Sequence, residues 1–162
     1  MDMLVNLLQL PPEQALPAGI RIRRAMAPDK QRVLAWVQEH SGPSAAGECD
    51  VCFAHTPISC YLGTRGAEIL GYAFYNATAP DFFGPTRVLD SEQGQGLGRA
   101  LLLRSLYALR DEGYAYAIIG GVGPVAFYEK CVGATVIPNS TPGIYKDFLG
   151  AIEKGAMGTT KD

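Results

Sequence analysis

Residues 92–102, with the sequence EQGQGLGRALL, carry glycines at positions 94, 96 and 98 immediately before a run of strong helix formers. Glycine costs stability inside a helix or a strand, so alternating glycines indicate a backbone that turns tightly or is closely approached. The residues before them, 83–89, are predicted to form a strand. A strand that enters a helix through a glycine loop presents free N–H groups and the positive end of the helix dipole. The pattern therefore predicts an anion site.

Length and composition indicate one domain with a substantial core, since the chain has 162 residues of which 48% are hydrophobic. The net charge is -2, and acidic and basic residues are interspersed. Without a basic face or a cationic helix, we expect neither a nucleic-acid partner nor a membrane partner. The start, MDMLVNLLQL, has no positive region and is too short to span a bilayer. We predict a cytoplasmic protein.

The cysteines do not predict a metal site. There are four of them, Cys49, Cys52, Cys60 and Cys131, and without a secretion signal they are expected to be free thiols. Cys49 and Cys52 form a CxxC pair and His55 follows, but a second ligand pair at zinc-site spacing is missing. We therefore expect small buried side chains here and no bound metal.

Strand and helix patterns alternate along the chain, which predicts an α/β sandwich with a mixed sheet. The predicted elements are, in order, a strand at 20–24, helices at 28–40 and 45–54, strands at 59–64, 68–78 and 83–89, a helix at 99–112, a strand at 114–119, a short helix at 124–130, and strands at 134–138 and 143–148. Residues 1–19 are predicted to be an N-terminal extension, 20–149 the domain, and 150–162 a flexible tail.

Two common phosphate-binding motifs fit this sequence poorly. A nucleotide-triphosphate loop needs a Lys followed by Ser or Thr after its glycines, and none follows here. A dinucleotide fingerprint starting at Gly94 meets Arg99 in place of its third glycine. Residues 121–126 match the Gly-x-Gly-x-x-Ala form after a predicted strand, but only 36 residues follow, too few for the remaining strands of such a sheet.

Residues 93–98, QGQGLG, match the Q/R-x-x-G-x-G/A signature of the GNAT acyltransferases, which transfer an acyl group from coenzyme A. Residues 127–130, FYEK, followed by Gly133 and Ala134, resemble the FYEKxGF segment of that family. The resemblance covers residues 20–148. It implies a mixed, mainly antiparallel sheet with helices on both faces and a splayed fourth and fifth strand pair. It also implies an N-acetyltransferase that uses acetyl-CoA as co-substrate.

The resemblance implies roles for individual residues. Backbone groups of Val88 and Leu89 would contact the pantetheine arm and the acyl carbonyl, and Tyr128 would be the general acid that protonates the departing thiolate. Gly121 stands where family members often have an asparagine that contacts the cofactor, and one residue is inserted between Lys130 and Gly133. The amides expected to hold the pyrophosphate are those of Gln93, Gly94, Gln95, Gly96, Leu97, Gly98 and Arg99.

The expected chemistry is direct attack of an acceptor amine on the thioester, with a backbone N–H near Val88 stabilising the oxyanion. Several family members carry a carboxylate base on the fourth strand, but residues 82–87 contain none. The candidate bases are Asp81, Glu48, Asp50 and His55. The candidate acceptor contacts are Glu48, Asp81, Phe82 and Phe83.

The kind of acceptor is predicted from the aromatic residues of the chain. The aromatic residues near the predicted cleft favour a small amine acceptor with an apolar part. They are Phe53, Tyr61, Tyr72, Phe74, Tyr75, Phe82 and Phe83. A homodimer is left open. The alternative function is a non-catalytic acyl-CoA-binding or regulatory module that kept the glycine loop and lost a base.

Overall fold

The computed structural model describes residues 1–152, so most of the predicted tail at 150–162 lies outside the described residues. One seven-stranded sheet has the strand order β2-β3-β4-β5-β6-β1-β7. The strands are β1 (Met3–Asn6), β2 (Ile20–Arg24), β3 (Cys60–Arg65), β4 (Glu68–Tyr75), β5 (Phe82–Val88), β6 (Tyr116–Ile119) and β7 (Thr135–Val136). The helices are α1 (Lys30–Ser41), α2 (Pro43–Phe53), α3 (Leu97–Asp111) and α4 (Val125–Val132). Across residues 1–152, every helix is too short or too polar to cross a membrane.

Each face of the sheet is covered by two helices, as the resemblance predicted. Side chains at the end of β4 alternate between the faces, with Tyr72 and Phe74 packing beneath α1 and α2, and Ala73 on the side of α3. In α3, the predicted apolar face is buried completely or nearly so at Leu102, Leu106 and Leu109. Two hydrophobic cores therefore hold the sheet between helix layers.

The fourth and fifth predicted strands, β5 and β6, separate soon after they meet. They pair in parallel only at Phe82 with Ile118 and Phe83 with Ile119. Gly84 and Pro85 follow in β5; Gly84 has a φ of 108° and Pro85 has no N–H to donate to a neighbouring strand. Beyond them β5 continues along β4 alone, ending at Val88 opposite Gly71. The predicted splayed pair is confirmed, and it opens a V-shaped cleft between β5 and β6.

The strand predicted at 143–148 is wrong. The chain there makes a 3-10 turn at Gly143–Tyr145, because Gly143 has a φ of 78°, outside the range of a strand. The free edge of β6 pairs instead with β1, which runs antiparallel to both β6 and β7. The apolar residues of 144–148 had indicated a strand, but the edge that such a strand would need is already taken.

The N-terminal residues form part of the packed sheet. The sequence had set residues 1–19 apart as an extension, but β1 lies between β6 and β7. Met3, Val5 and Leu7 are completely buried against α3 and its neighbours. Further along this segment, the Pro11 carbonyl accepts a hydrogen bond from the Tyr107 hydroxyl of α3 at 2.7 Å. The hydrophobic core on this face is therefore incomplete without the first residues of the chain.

Candidate active site

A cavity of about 770 Å³ occupies the cleft between β5 and β6. One wall is the glycine loop with the first turn of α3, and the opposite wall is the loop after β6 with α4. The residues of the cleft that bear on the chemistry are Phe83, Thr86, Val88, Gln93, Gly94, Gly96, Leu97, Gly98, Arg99, Gly121, Phe127, Tyr128 and Tyr145. The structure thus brings both sequence motifs to one cavity, although 30 positions separate Gly98 from Tyr128.

The glycine loop has the geometry of an anion cradle. Gly94 and Gly96 both have a φ of 84°, a left-handed conformation that side chains disfavour, and a Cβ added at either would point into open space. Ala100 is the first residue of α3 whose N–H finds a helical acceptor, the Gly96 carbonyl at 3.0 Å. Within residues 1–152, the N–H groups of residues 94–99 have no hydrogen-bond acceptor. They fit a pyrophosphate, which needs several convergent donors.

An ion pair fixes the start of this loop to the sheet. Arg65 of β3 donates to both carboxylate oxygens of Glu92, at 2.8 and 2.9 Å. The Gln95 side chain donates to the same carboxylate at 2.6 Å. The hydrogen bonds from Arg65 and, to a smaller extent, from Gln95 lower the pKa of Glu92 to about 2. The Arg65–Glu92 ion pair therefore stays charged throughout the neutral range. The Gln95 side chain, predicted as part of the cofactor site, is therefore engaged in shaping the loop.

The end of β5 offers the cleft one free amide. The Leu89 N–H donates to the Leu70 carbonyl at 2.9 Å and so faces β4. Because N–H directions alternate along a strand, the N–H of Val88 faces the opposite side, which is the cleft. Val88 is thus placed to donate to a carbonyl oxygen in the cavity, while the Leu89 N–H is already occupied.

Tyr128 presents its hydroxyl to the cavity from α4. The residue is 6% exposed, and its ring packs edge-on against Phe83 and Phe127, with centroid distances of 6.3 and 5.1 Å. Within residues 1–152 the hydroxyl has no hydrogen-bond partner, and its oxygen is not among the buried unpaired atoms. Burial raises the pKa of Tyr128 to about 12, so the group carries its proton at neutral pH. It can donate that proton to a group that becomes more basic beside it.

Gly121 and Tyr145 explain the departure from the family pattern in the second loop. Gly121 has a φ of 59°, and a Cβ placed on it would lie 3.0 Å from the Tyr145 ring. Asparagine tolerates a positive φ, but its Cβ would crowd that ring. Asp2 of the N-terminus accepts the Gly121 N–H at 2.9 Å, which fixes the loop. The Tyr145 ring occupies the space into which an asparagine side chain would extend.

Of the other candidate acceptor contacts, Phe83 lines the cleft, whereas Phe82 and Asp81 do not. The Phe82 ring lies 3.1 Å from the Cβ position of Gly120 and outside the cavity wall. Asp81 lies away from the cavity, near Glu112 at the end of α3. Its φ is 65°, and its Oδ1 atom is buried without a partner among residues 1–152. Burial, with a smaller contribution from Glu112, raises the pKa of Asp81 to about 6.

Of the four candidate bases, only Glu48 is connected to the cleft. Asp50 forms an exposed ion pair with Lys30 at 2.9 Å, and the His55 Nε2 atom is 3.0 Å from the Asn76 carbonyl oxygen. Glu48 accepts hydrogen bonds from Thr78 and from Tyr145, both at 2.7 Å, and Tyr145 lines the cavity. Tyr145 was missed at the level of sequence, because 97 positions separate it from Glu48 and its segment was predicted as a strand.

None of the four cysteines lines the cleft. Cys49 and Cys52 on the inner face of α2 and Cys60 on β3 are completely buried as free thiols, and Cys131 is half-buried on α4. Across residues 1–152, no three His, Cys, Asp or Glu side chains are grouped so as to hold a metal ion. The three buried thiols form part of the hydrophobic core on that face of the sheet.

Comparison with known proteins places the fold. No protein-family model and no curated protein matches the sequence. Among solved structures, a GCN5-related N-acetyltransferase from Sphaerobacter thermophilus matches 84% of the chain at 20% identity, with a TM-score of 0.59. A GCN5-related glucosamine N-acetyltransferase region of a fungal multi-domain GH3 β-N-acetylglucosaminidase matches 81% at 12% identity, with a TM-score of 0.63. A GCN5-related N-acetyltransferase from Kribbella flavida matches 83% of the chain at 18% identity, with a TM-score of 0.56.

The chain has the fold of the GCN5-related N-acetyltransferases, the GNAT fold, as the resemblance predicted. It spans 47%, 19% and 52% of the lengths of those three chains, about half or less in each case. Identities this low carry the fold, so the activity has to be argued from the cleft itself.

Proposed function

We propose that the protein transfers an acetyl group from acetyl-CoA to the amine of a small acceptor by direct attack. The observation that carries the proposal is that one cleft joins an anion cradle, a free strand amide and the unpaired hydroxyl of a mostly buried tyrosine. Those are the parts that a coenzyme A thioester requires: donors for its pyrophosphate, a donor for its carbonyl, and an acid for its sulfur. The GNAT fold supports the same assignment.

Binding of acetyl-CoA is assigned to the backbone. The N–H groups of residues 94–99 would hold the pyrophosphate, aided by the N-terminus of α3. The pantetheine arm would lie along β5, where the N–H of Val88 faces the cleft. Leu89 can contribute only its carbonyl, because its N–H is bonded to Leu70. Arg99 lines the cavity from the first turn of α3 and would add a positive charge beside the phosphates.

Tyr128 is assigned as the general acid. Its proton would pass to the sulfur as the carbon–sulfur bond breaks, and the N–H of Val88 would stabilise the negative charge on the carbonyl oxygen. A phenol with a pKa near 12 is a weak donor to an exposed thiolate, which has a pKa of about 8.5. Burial also raises the pKa of a thiol, so a thiolate formed inside the same cleft is a stronger base and the transfer is better matched.

The acceptor in this proposal is a small amine. Fewer aromatic side chains reach the cavity than the sequence indicated, so fewer of them support an apolar part of that acceptor. Tyr72, Phe74 and Tyr75 are at most 1% exposed and belong to the two cores. Phe83 is the aromatic candidate that reaches the cavity. The cytoplasmic location stays a prediction, and the choice between monomer and homodimer stays open.

Thermal unfolding with separate additions of acetyl-CoA, coenzyme A and NAD tests the binding part, because a ligand of the native state raises the unfolding temperature. We expect stabilisation by acetyl-CoA and coenzyme A and none by NAD. Stabilisation by NAD alone would overturn the proposal. Release of free thiol from acetyl-CoA in an amine screen then tests catalysis. Binding without turnover on any amine would favour the alternative, a non-catalytic acyl-CoA-binding module.

A further inference from the structure

Three side chains from distant parts of the chain meet at the end of the cleft where β5 and β6 are still paired. Glu48 comes from α2, Thr78 follows β4, and Tyr145 lies in the turn after β7. Glu48 Oε1 is 2.7 Å from both Thr78 Oγ1 and Tyr145 Oη, and those two hydroxyl oxygens are 2.9 Å apart. We call these three side chains the acceptor triangle.

The acceptor triangle is short of protons. With Glu48 ionised, Thr78 and Tyr145 supply two hydrogens for three oxygen–oxygen contacts, and both point at the carboxylate. The Tyr145 oxygen therefore keeps its acceptor capacity, and this residue lines the cavity. Donating to a carboxylate makes a hydroxyl oxygen a better acceptor in turn. Of the three residues, Tyr145 is the one that lines the cavity, so a donor arriving from the cleft would reach its side chain first.

The acceptor triangle also carries an unbalanced charge. Glu48 is half-buried, and no Lys, Arg or His of residues 1–152 forms a salt bridge with it. A partly buried carboxylate without a cation favours binding of one, since its charge is less screened than in water. A ligand that is both a cation and a hydrogen-bond donor satisfies both deficits, and an alkylammonium group is such a ligand.

The Tyr145 hydroxyl is held in place. The ring lies against Gly121 and packs edge-on against Phe148, with centroids 5.7 Å apart. The turn that carries it begins at Gly143, where an added Cβ would lie 2.7 Å from the Asp2 carboxylate. Asp2 of the N-terminal segment thus packs against the turn that carries Tyr145. A fixed hydroxyl can orient an incoming amine without a further entropic cost.

We propose that the acceptor triangle binds the acceptor as a primary alkylammonium, with Tyr145 in contact with its nitrogen, and that Glu48 takes up the proton the nitrogen must lose. This inference rests on the proposed acetyl transfer and adds the class of acceptor and the base to it. Tyr145 contacts the substrate, and Glu48 acts through Tyr145.

The proton transfers balance. An alkylamine, with a pKa of about 10.4, is protonated at neutral pH and has no electron pair for attack. One N–H bond breaks and its electron pair stays on nitrogen; the proton goes to the Tyr145 oxygen while the Tyr145 proton passes to Glu48. Nitrogen then attacks the carbonyl carbon. A second proton leaves nitrogen after the C–N bond forms and replaces the one that Tyr128 gives to sulfur. The products are an amide, a thiol and one proton, which Glu48 releases to water.

A matched pair of acceptors tests the inference. Phenethylamine is an ammonium at pH 7, whereas O-benzylhydroxylamine has nearly the same shape and is neutral, because its oxygen withdraws electrons from the nitrogen. The variants are Glu48→Gln and Tyr145→Phe, which preserve size. The control is Asp50→Asn, which removes a carboxylate from the exposed face of the same helix. For each protein, kcat and KM are measured for both acceptors, and KM for acetyl-CoA.

We expect Glu48→Gln and Tyr145→Phe each to lower kcat/KM for phenethylamine roughly 100-fold, the usual scale of acid–base catalysis. KM for acetyl-CoA and kcat/KM for O-benzylhydroxylamine should stay within about twofold, and Asp50→Asn should change none of them. The double variant should lose little more than the worse single one, because the two residues act as a unit.

Each other outcome is decisive. Equal losses with both acceptors would show a structural role and overturn the inference, as would full activity of both variants with phenethylamine. In either case acetyl transfer itself stands. Absence of turnover by the unchanged protein with every amine contradicts the proposed function and the inference with it. Circular dichroism melts check that each variant is folded.

Discussion

The two ends of the cleft are built in opposite ways. The glycine loop is a continuous run whose backbone makes the site, with Gly94 and Gly96 in the same left-handed conformation. The acceptor triangle has no two neighbouring residues, and its members are 30, 67 and 97 positions apart. A site made of backbone groups needs particular residues in one short stretch, so the local sequence can reveal it. A site made of converging side chains depends on the whole fold.

The same contrast applies to the sheet. Strands β3 and β4 form a hairpin around Gly66, and both were predicted, because the turn and the alternation lie in one short stretch. Strand β1 pairs with β6, more than a hundred residues later. Its four residues carry too little pattern to name a partner.

The largest effect is expected at the N-terminus. Leu7→Ala should lower the free energy of unfolding by about 2 to 5 kcal/mol, because the side chain is completely buried against α3. Leu8→Ala is the matched control: that side chain is 65% exposed, so a change within about 0.5 kcal/mol is expected. Urea unfolding measures both. Equal, small changes would mean that β1 is not part of the cooperative unit.

The next effect concerns Tyr128, which the motif located and the structure placed in the cleft. Tyr128→Phe should lower kcat at least about 100-fold, or roughly 2.7 kcal/mol of barrier, because only the proton donor is removed. The dissociation constant of coenzyme A, measured by calorimetry, should change little. Tyr116→Phe serves as the control on a tyrosine that is 52% exposed on β6. Loss of coenzyme A affinity without loss of kcat would show that the hydroxyl binds rather than reacts.

Particular residues show how far the sequence could go. The motifs predicted one site containing Gly96, Gly98 and Tyr128, and all three residues line one cleft. Such a prediction was within reach because a helix start, a glycine conformation and a motif are local properties. Glu48 was one of four candidate bases, and local pattern could not rank them. Tyr145 was assigned to a strand, since its apolar neighbours resemble one; the pairing of β1 with β6 decides otherwise. Side chains that meet through the tertiary fold were therefore the part that the sequence could not supply.

A smaller effect separates the strain of a left-handed glycine from its use. Gly96→Ala and Gly66→Ala both place a Cβ in open space at positive φ, 84° and 57°. Each should cost about 1 to 2 kcal/mol of stability. Only Gly96→Ala should also weaken coenzyme A binding, by about tenfold, or 1.4 kcal/mol, because its Cβ occupies the space beside the phosphates. Calorimetric titration with coenzyme A measures this. Equal affinities of the two variants would place the pyrophosphate elsewhere.

The smallest effect is expected at Asp81, a candidate that the fold placed outside the cleft. Burial raises the pKa of this carboxyl to about 6, so its neutral form is the one the folded state favours. The stability that this form contributes is complete below pH 3.8, the usual pKa, and is lost as the pH rises through 6. Asp81→Asn removes the charge, and asparagine tolerates the positive φ of 65°.

Asp81→Asn should therefore match the unchanged protein in stability near pH 4 and exceed it at pH 8 by about 1 kcal/mol, less than the full value of the pKa shift because solvent still screens the carboxyl group. Urea unfolding at both pH values measures the difference, and the titration of other groups cancels between the two proteins. The variant should also keep its acetyl-transfer activity, because Asp81 does not line the cavity. A large loss of activity would return Asp81 to the list of bases and weaken the assignment of Glu48. The sequence could not rank Glu48 above Asp81 as the base. The experiment tests the ranking that follows from their positions relative to the cavity.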